Sequence, residues 1–99
     1  MTQEQKTIWD YLCKNCVGIK NAQHVADIAQ ACGFNSYGTN NDDVRSIVTD
    51  MVINKKQPIG SCSKGYFLIT SEEERQTAIN WVNRNKKVDT LKDITLYQP

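Results

Sequence analysis

Four cysteines and one histidine carry most of the latent chemistry of this chain, and Cys13-x-x-Cys16 sets two of them at metal-ligand spacing. A structural zinc site takes four ligands, usually as two close pairs. Here Cys32 and Cys62 stand alone and His24 has no second histidine, so the other pair is missing. A redox Cys-x-x-Cys needs a thioredoxin-like βαβ setting, and the surrounding pattern is helical. The cysteines therefore read as small apolar side chains. The sequence has no phosphate-cradling glycine loop, no carboxylate pair in an evident cleft and no nucleophile beside a base. The expectation is a non-enzyme with no cofactor and no metal.

The other residues with chemistry to offer are hydrogen-bond donors and cations. A guanidinium can grip a guanine edge in bidentate fashion and a carboxamide can do the same for adenine, which makes Arg45 and Asn41 candidate base readers. Ser46 and Thr49 suit a phosphate or a thymine methyl. Lys64 and Ser63 suit a backbone or minor-groove contact, and Lys20, Lys55 and Lys56 could add phosphate contacts, each releasing counterions. Asp42 and Asp43 work the other way, since a carboxylate near phosphate opposes binding.

These residues need elements to hold them. Val44, Ile47, Val48 and Met51 fall at i, i+3, i+4 and i+7, the stripe of an amphipathic helix. Asn40 or Asn41 can cap it, Asp42 and Asp43 suit the positive end of its dipole, and Pro58 prevents its continuation. Its outward positions are then Asn41, Asp42, Arg45, Ser46 and Thr49, with Asp50 at the margin. Two β-type runs follow, Ile59–Cys62 and Tyr66–Ile69, separated by Ser63, Lys64 and Gly65, which is a hairpin signal. Tyr66 and Phe67 alternate across the second run, so one ring should pack inward.

Upstream, Thr2 to Asn15 carries Ile8, Tyr11, Leu12 and Cys16 at helical spacing, with Thr2 as cap and Gly18 at the end. A second helix is predicted over HVADIAQACGF, with Val25, Ile28, Ala29 and Cys32 on one face and His24 at its mouth. The turn-forming stretch NSYGTN (35–40) separates it from the third helix. Downstream, Ser71 and Glu74 have capping-box spacing, and Ala78, Ile79 and Val82 give a fourth helix its inner face. That helix either continues to about Asp93 or breaks near Asn85. Val88, Leu91 and Ile94 have no evident partner in so small a core; they would pair with another subunit or pack back across the first helix.

Ninety-nine residues with 39% apolar and 23% charged side chains suit one globular domain. A net charge of +1 does not by itself argue for nucleic acid. No apolar run has the length of a membrane span, and MTQEQKTIWDYL lacks the apolar core of a signal peptide. The chain is expected in the cytoplasm, with its thiols reduced.

The order of helices followed by a basic-tipped hairpin suggests a winged helix-turn-helix. Three stretches strengthen this: YLCKNCVGIKNA (11–22), HVADIAQACGF (24–34) and QPIGSCSKGYFLITSEEE (57–74). In them the chain resembles small winged-helix proteins of phages and prophages, in which a V-G-x-x-N-A connection precedes the turn and P-I-x-S-x-x-x-G-Y makes the wing. The likeness runs from Ile8 to roughly Val82. It departs at Met51–Lys56, where the family usually has a leucine-arginine pair and a glycine. The resemblance implies a mainly α (α+β) fold with a three-helix core, a two-stranded wing and a C-terminal helix. Residues 1–84 would form that domain, and 85–99 a helical extension that could serve dimerisation. The expected partner is double-stranded DNA, bound by a transcriptional regulator or replication accessory, with Asn41, Arg45, Ser46, Thr49, Lys55, Lys56, Ser63, Lys64 and Lys20 at the interface. The rival expectation is a winged-helix adaptor that meets a host or phage protein and has little DNA affinity.

Overall fold

A computed structural model of the chain describes residues 2–34, 42–83 and 90–98. In these, four α-helices and one antiparallel hairpin make an α+β fold in the order α1 (Gln3–Asn15), α2 (Val25–Ala31), α3 (Asp42–Ile53), β1 (Ile59–Cys62), β2 (Gly65–Leu68) and α4 (Glu72–Asn83). Short 3₁₀ turns occupy Ile19–Asn21 and Thr90–Asp93. No described helix is long and apolar enough to cross a membrane.

The starts of α1 and α4 have a local cause. At α1 the Thr2 hydroxyl accepts from the Gln5 backbone N–H while the Gln5 side chain accepts from the Thr2 N–H, a reciprocal cap. Gln5 is also the one buried polar residue among those described, and its amide donates to Asp50 on α3. Asn54 and then Gln5, by donating to that carboxylate, hold Asp50 below its ordinary acidity range. Asp50 thus faces α1 rather than the outside of α3. At α4 the Ser71 hydroxyl accepts from the Glu74 N–H at 3.2 Å, as the spacing predicts. The Glu74 carboxylate reaches past Ser71. It accepts from the Thr70 N–H and hydroxyl, both at 2.9 Å, and from the Ile19 N–H at 3.1 Å, tying α4 to the connection before α2.

The hairpin is the middle layer. Its register pairs Ile59 with Leu68, Gly60 with Phe67, Ser61 with Tyr66 and Cys62 with Gly65. β1 has the expected bounds. β2 begins one residue early, because Gly65 pairs with Cys62 and leaves a two-residue loop, Ser63-Lys64. Successive strand residues face opposite sides, and here both sides are covered. Ile59 and Leu68 join Ile8, Leu12 and Cys16 of α1, Val25, Ile28 and Ala29 of α2, and Val44, Val48 and Met51 of α3. Phe67 and, just beyond β2, Ile69 join Ala78 and Ile79 of α4 with Leu91 and Ile94. Gly60 lets α4 sit this close: a Cβ there would fall 2.8 Å from the Ala78 Cβ and 3.0 Å from the Phe67 ring.

The outer edge of β2 is also used. Tyr66 and Gln23 exchange backbone hydrogen bonds of 2.8 and 3.0 Å, and Leu68 donates to Cys16 and accepts from Gly18 at 2.8 and 3.0 Å. The α1–α2 connection therefore lies against the hairpin as a broken third strand.

The chain beyond α4 corrects one expectation. Thr90–Asp93 is a 3₁₀ turn and 94–98 is irregular, so no single α-helix runs to Asp93. Leu91 and Ile94 find partners within the chain after all, at 2% exposure each. Buried there, they are not available to a second subunit, and Val88 lies outside the described residues. The Arg75 guanidinium holds this turn by donating to the carbonyls of Leu91 and Lys92, each at 2.8 Å. Farther on, the Tyr97 N–H donates to Ile69, and its ring meets Trp9 of α1 edge-on, 5.9 Å between centroids.

Candidate functional site

One cleft gathers residues from four elements. His24 and Val25 at the start of α2, Arg45 on α3, Ser61, Cys62, Ser63, Gly65 and Tyr66 on the hairpin, and Trp81 on α4 enclose about 230 Å³. The way the chain folds around the hairpin brings them together. The Gln23–Tyr66 pairing sets the mouth of α2 beside the hairpin end, where a Cβ on Gly65 would lie 1.9 Å from the Gln23 carbonyl oxygen. Gly65 has φ +118°, a conformation open to glycine. Arg45, next to the inward-packed Val44, shares the cleft with Ser61 and Tyr66 of the hairpin.

Arg45 sits against the Tyr66 hydroxyl. Burial pushes the Tyr66 phenol above its ordinary value, and the charge and hydrogen bond of Arg45 partly offset that rise. The pair gives the cleft a cation held on a defined side. Ser61 and Ser63 add hydroxyls, and no carboxylate lines it among the described residues. Its lining offers one cation and several hydroxyls to an anionic or hydrogen-bonding group.

The expected contact residues divide into groups. Arg45 and Ser63 line the cleft, and Lys64 is exposed beside Ser63 at the hairpin tip. Ser46 and Thr49 are exposed on α3, and the Thr49 hydroxyl donates to the Arg45 carbonyl at 2.8 Å, within its own helix. Lys55 and Lys56 are exposed past the end of α3, whose last residue, Ile53, lies roughly 12 Å along the helix from Arg45 at 1.5 Å per residue. Lys56 takes φ +57°, which turns the chain toward Pro58. Lys20 is exposed in the 3₁₀ turn whose neighbour Ile19 is tied to α4, and it does not line the cleft. Asn41 lies outside the described residues, as does the 35–40 turn.

Trp81 is a member of the cleft that the sequence did not single out, and His24 and Tyr66 join it from positions expected only at a helix mouth and in an alternating strand. Trp81 left one sign: it falls off the Ala78, Ile79 and Val82 stripe, and a large aromatic off the buried face of a helix needs another use. A second depression lies beside the cleft, lined by Thr77 and Asn80 together with Cys62, Ser63 and Trp81, which border both.

The thiols are accounted for by packing. Cys16 is fully buried, and burial, with Cys32 nearby, pushes its thiol up to about 11. Burial likewise raises Cys13 and Cys32. Among the described residues no three His, Cys, Asp or Glu side chains gather where they could hold a metal ion. No family model, curated protein or solved structure matches the chain.

Proposed function

We propose that this chain is a DNA-binding winged-helix protein of phage or prophage type, acting as a transcriptional regulator or replication accessory. In this reading α3 is the recognition helix and enters the major groove, and the hairpin is the wing and rests on the backbone. The observation that carries it is the shared cleft: Arg45 of α3 and Ser63 of the hairpin tip border one space, with Lys64 beside it. The edge pairing of Gln23 with Tyr66 supports the fold assignment, since it anchors the hairpin to the helix that precedes the turn.

Fluorescence anisotropy with a mixed-sequence duplex pool, titrated at several salt concentrations, tests this. Each phosphate contact contributes roughly 0.9 to the slope of log affinity against log salt. Joint replacement of Arg45 and Lys64 by alanine should weaken binding at least tenfold and flatten that slope by about 1–2, with the fold retained by circular dichroism. Unchanged affinity would remove this face from the interface, and no binding by the unaltered protein at low salt would remove the DNA reading.

An adaptor that meets a host or phage protein is the second reading. It is favoured by an apolar groove of about 280 Å³ lined by Val48, Val52, Ile53, Ile59, Val82 and Leu91. Ile53, 41% exposed, is the large hydrophobic left open there among the described residues. On this reading Ile53→Asp abolishes partner capture and leaves duplex affinity, if any, unchanged.

A further inference from the structure

We infer that the cleft and the trough beside it form a site for an unpaired nucleotide, with Trp81 as its stacking platform. The inference rests on the nucleic-acid reading above but uses a different element, α4, and a different state of the ligand. Among the described residues Trp81 is half-buried yet belongs to neither core cluster, although Val82 beside it packs into one. It is instead shared, with Cys62 and Ser63, by both depressions. The two depressions adjoin at the hairpin tip, and the indole borders both.

The lining suits a base and its phosphate. On one side of Trp81 stand Arg45, held by Tyr66, with His24, Ser61 and Ser63. On the other stand Thr77, whose hydroxyl donates to the Glu73 carbonyl at 3.0 Å, and Asn80, whose Oδ1 accepts from Gln76 at 2.9 Å and whose amide N–H groups are the donors it can offer a ligand. No carboxylate lines either part among the described residues. The inner cleft, about 230 Å³, suits one heterocycle better than a drug-sized ligand, whose pockets run to roughly 300–1,000 Å³. Aromatic stacking in a positively polarised groove is how proteins hold single strands without reading their sequence. An intact duplex hides the faces of its bases in the stack, so the ligand is a single-stranded segment, an extruded base or a free nucleotide.

The sequence contains two tryptophans, Trp9 and Trp81. Trp9→Phe leaves Trp81 as the sole indole and makes its emission a direct report on the groove. Titration with oligothymidylate should quench that emission saturably, and thymidine monophosphate would do so alone if the ligand is a free nucleotide. In the unaltered background Trp81→Ala should weaken oligothymidylate binding about 5- to 150-fold, the range that base–aromatic stacking supplies. Trp81→Phe should restore most of it. If Trp81→Ala fails to fold by circular dichroism, the quenching titration decides alone. Trp81 emission unmoved by both ligands at millimolar concentration overturns the inference. Duplex binding measured in parallel separates the two readings: salt-sensitive duplex affinity without quenching by single strands sinks this site and leaves the α3 interface standing.

Discussion

Gly65→Ala should be the more damaging of the two glycine-to-alanine substitutions in the hairpin, and its cost can be worked out before it is made. Two contributions have the same sign. The position has φ +118°, where an L side chain is strained by roughly 1–3 kcal/mol. An added Cβ would also lie 1.9 Å from the Gln23 carbonyl oxygen and 2.6 Å from the His24 nitrogen. Those are backbone atoms, so relief requires the α1–α2 connection to move off the hairpin. That movement loses the paired Gln23–Tyr66 hydrogen bonds, at about 0.5–1.5 kcal/mol each. Together the loss is roughly 2–6 kcal/mol, a large part of the 5–15 kcal/mol that domains have in total. Gly33→Ala is the matched control: φ is +78°, but an added Cβ meets nothing within 4 Å, so only strain of about 1–2 kcal/mol remains. Urea unfolding followed by circular dichroism gives both values. Hydrogen exchange should additionally show the Gln23 and Tyr66 amides unprotected in Gly65→Ala alone. Equal losses in the two variants would refute the close approach of the connection to the hairpin.

Three other outcomes follow from the packing and the titrating groups. Gly60→Ala should cost about 1–3 kcal/mol, because the crowding against Ala78, Phe67 and Ile69 exceeds the roughly 0.4–1 kcal/mol gained by replacing a glycine; a urea midpoint at or above that of the unaltered protein would show that α4 does not seat this closely. For Glu74, burial opposes the carboxylate, but the hydrogen bonds from the Thr70 and Ile19 backbone and the Thr70 hydroxyl outweigh it and lower its pKa. Its stabilisation is then complete above the ordinary value of 4.5 and disappears as the pH falls through the lower folded value. Glu74→Gln should therefore be less stable at pH 7 and lose part of the acid-side slope in thermal melts from pH 6 to 3; an unchanged slope would contradict the contacts. Finally, Cys16 should be the last of the four thiols to react with a disulfide reagent at pH 8, being fully buried with a thiol near 11; labelling as fast as that of Cys62 would refute its place in the core.

Where the sequence was readable, the reason was local. The stripe Val44, Val48 and Met51 is buried as its spacing requires, with Ile47 half-buried at the margin. Thr2 and Ser71 cap their helices because a hydroxyl at that position has only nearby N–H groups to meet. What stayed hidden depends on residues far apart in the chain. The Gln23–Tyr66 pairing is one residue pair with no periodicity of its own. Leu91 and Ile94 looked unpartnered because the cluster they join is assembled from Phe67 and Ile69 at the hairpin together with Ala78 and Ile79 of α4, and no single periodic stripe contains it. Asp50 looked solvent-facing until Gln5, forty-five positions away, met it. The candidate site divides in the same way: Arg45 and Ser63 could be picked out from their own elements, while Trp81 joins them only through the packing of α4 on the hairpin.

The two-sided burial of the hairpin changes where the information for its pairing resides. In a sheet with one wet face, slipping the strands by one residue sends apolar side chains into water, and that cost fixes the alignment. Here both faces are dry at the base of the hairpin, where Ile59, Gly60, Phe67 and Leu68 are buried, and Tyr66, Phe67, Leu68 and Ile69 form an unbroken apolar run. Hydrophobic pattern alone is then a poor guide to alignment. The two positions without side chains do the discriminating. One must meet Ala78 and the other must meet the Gln23 carbonyl, and any shifted alignment pushes a side chain into one of those gaps. The alignment of this hairpin is written in its glycines, by what they leave out.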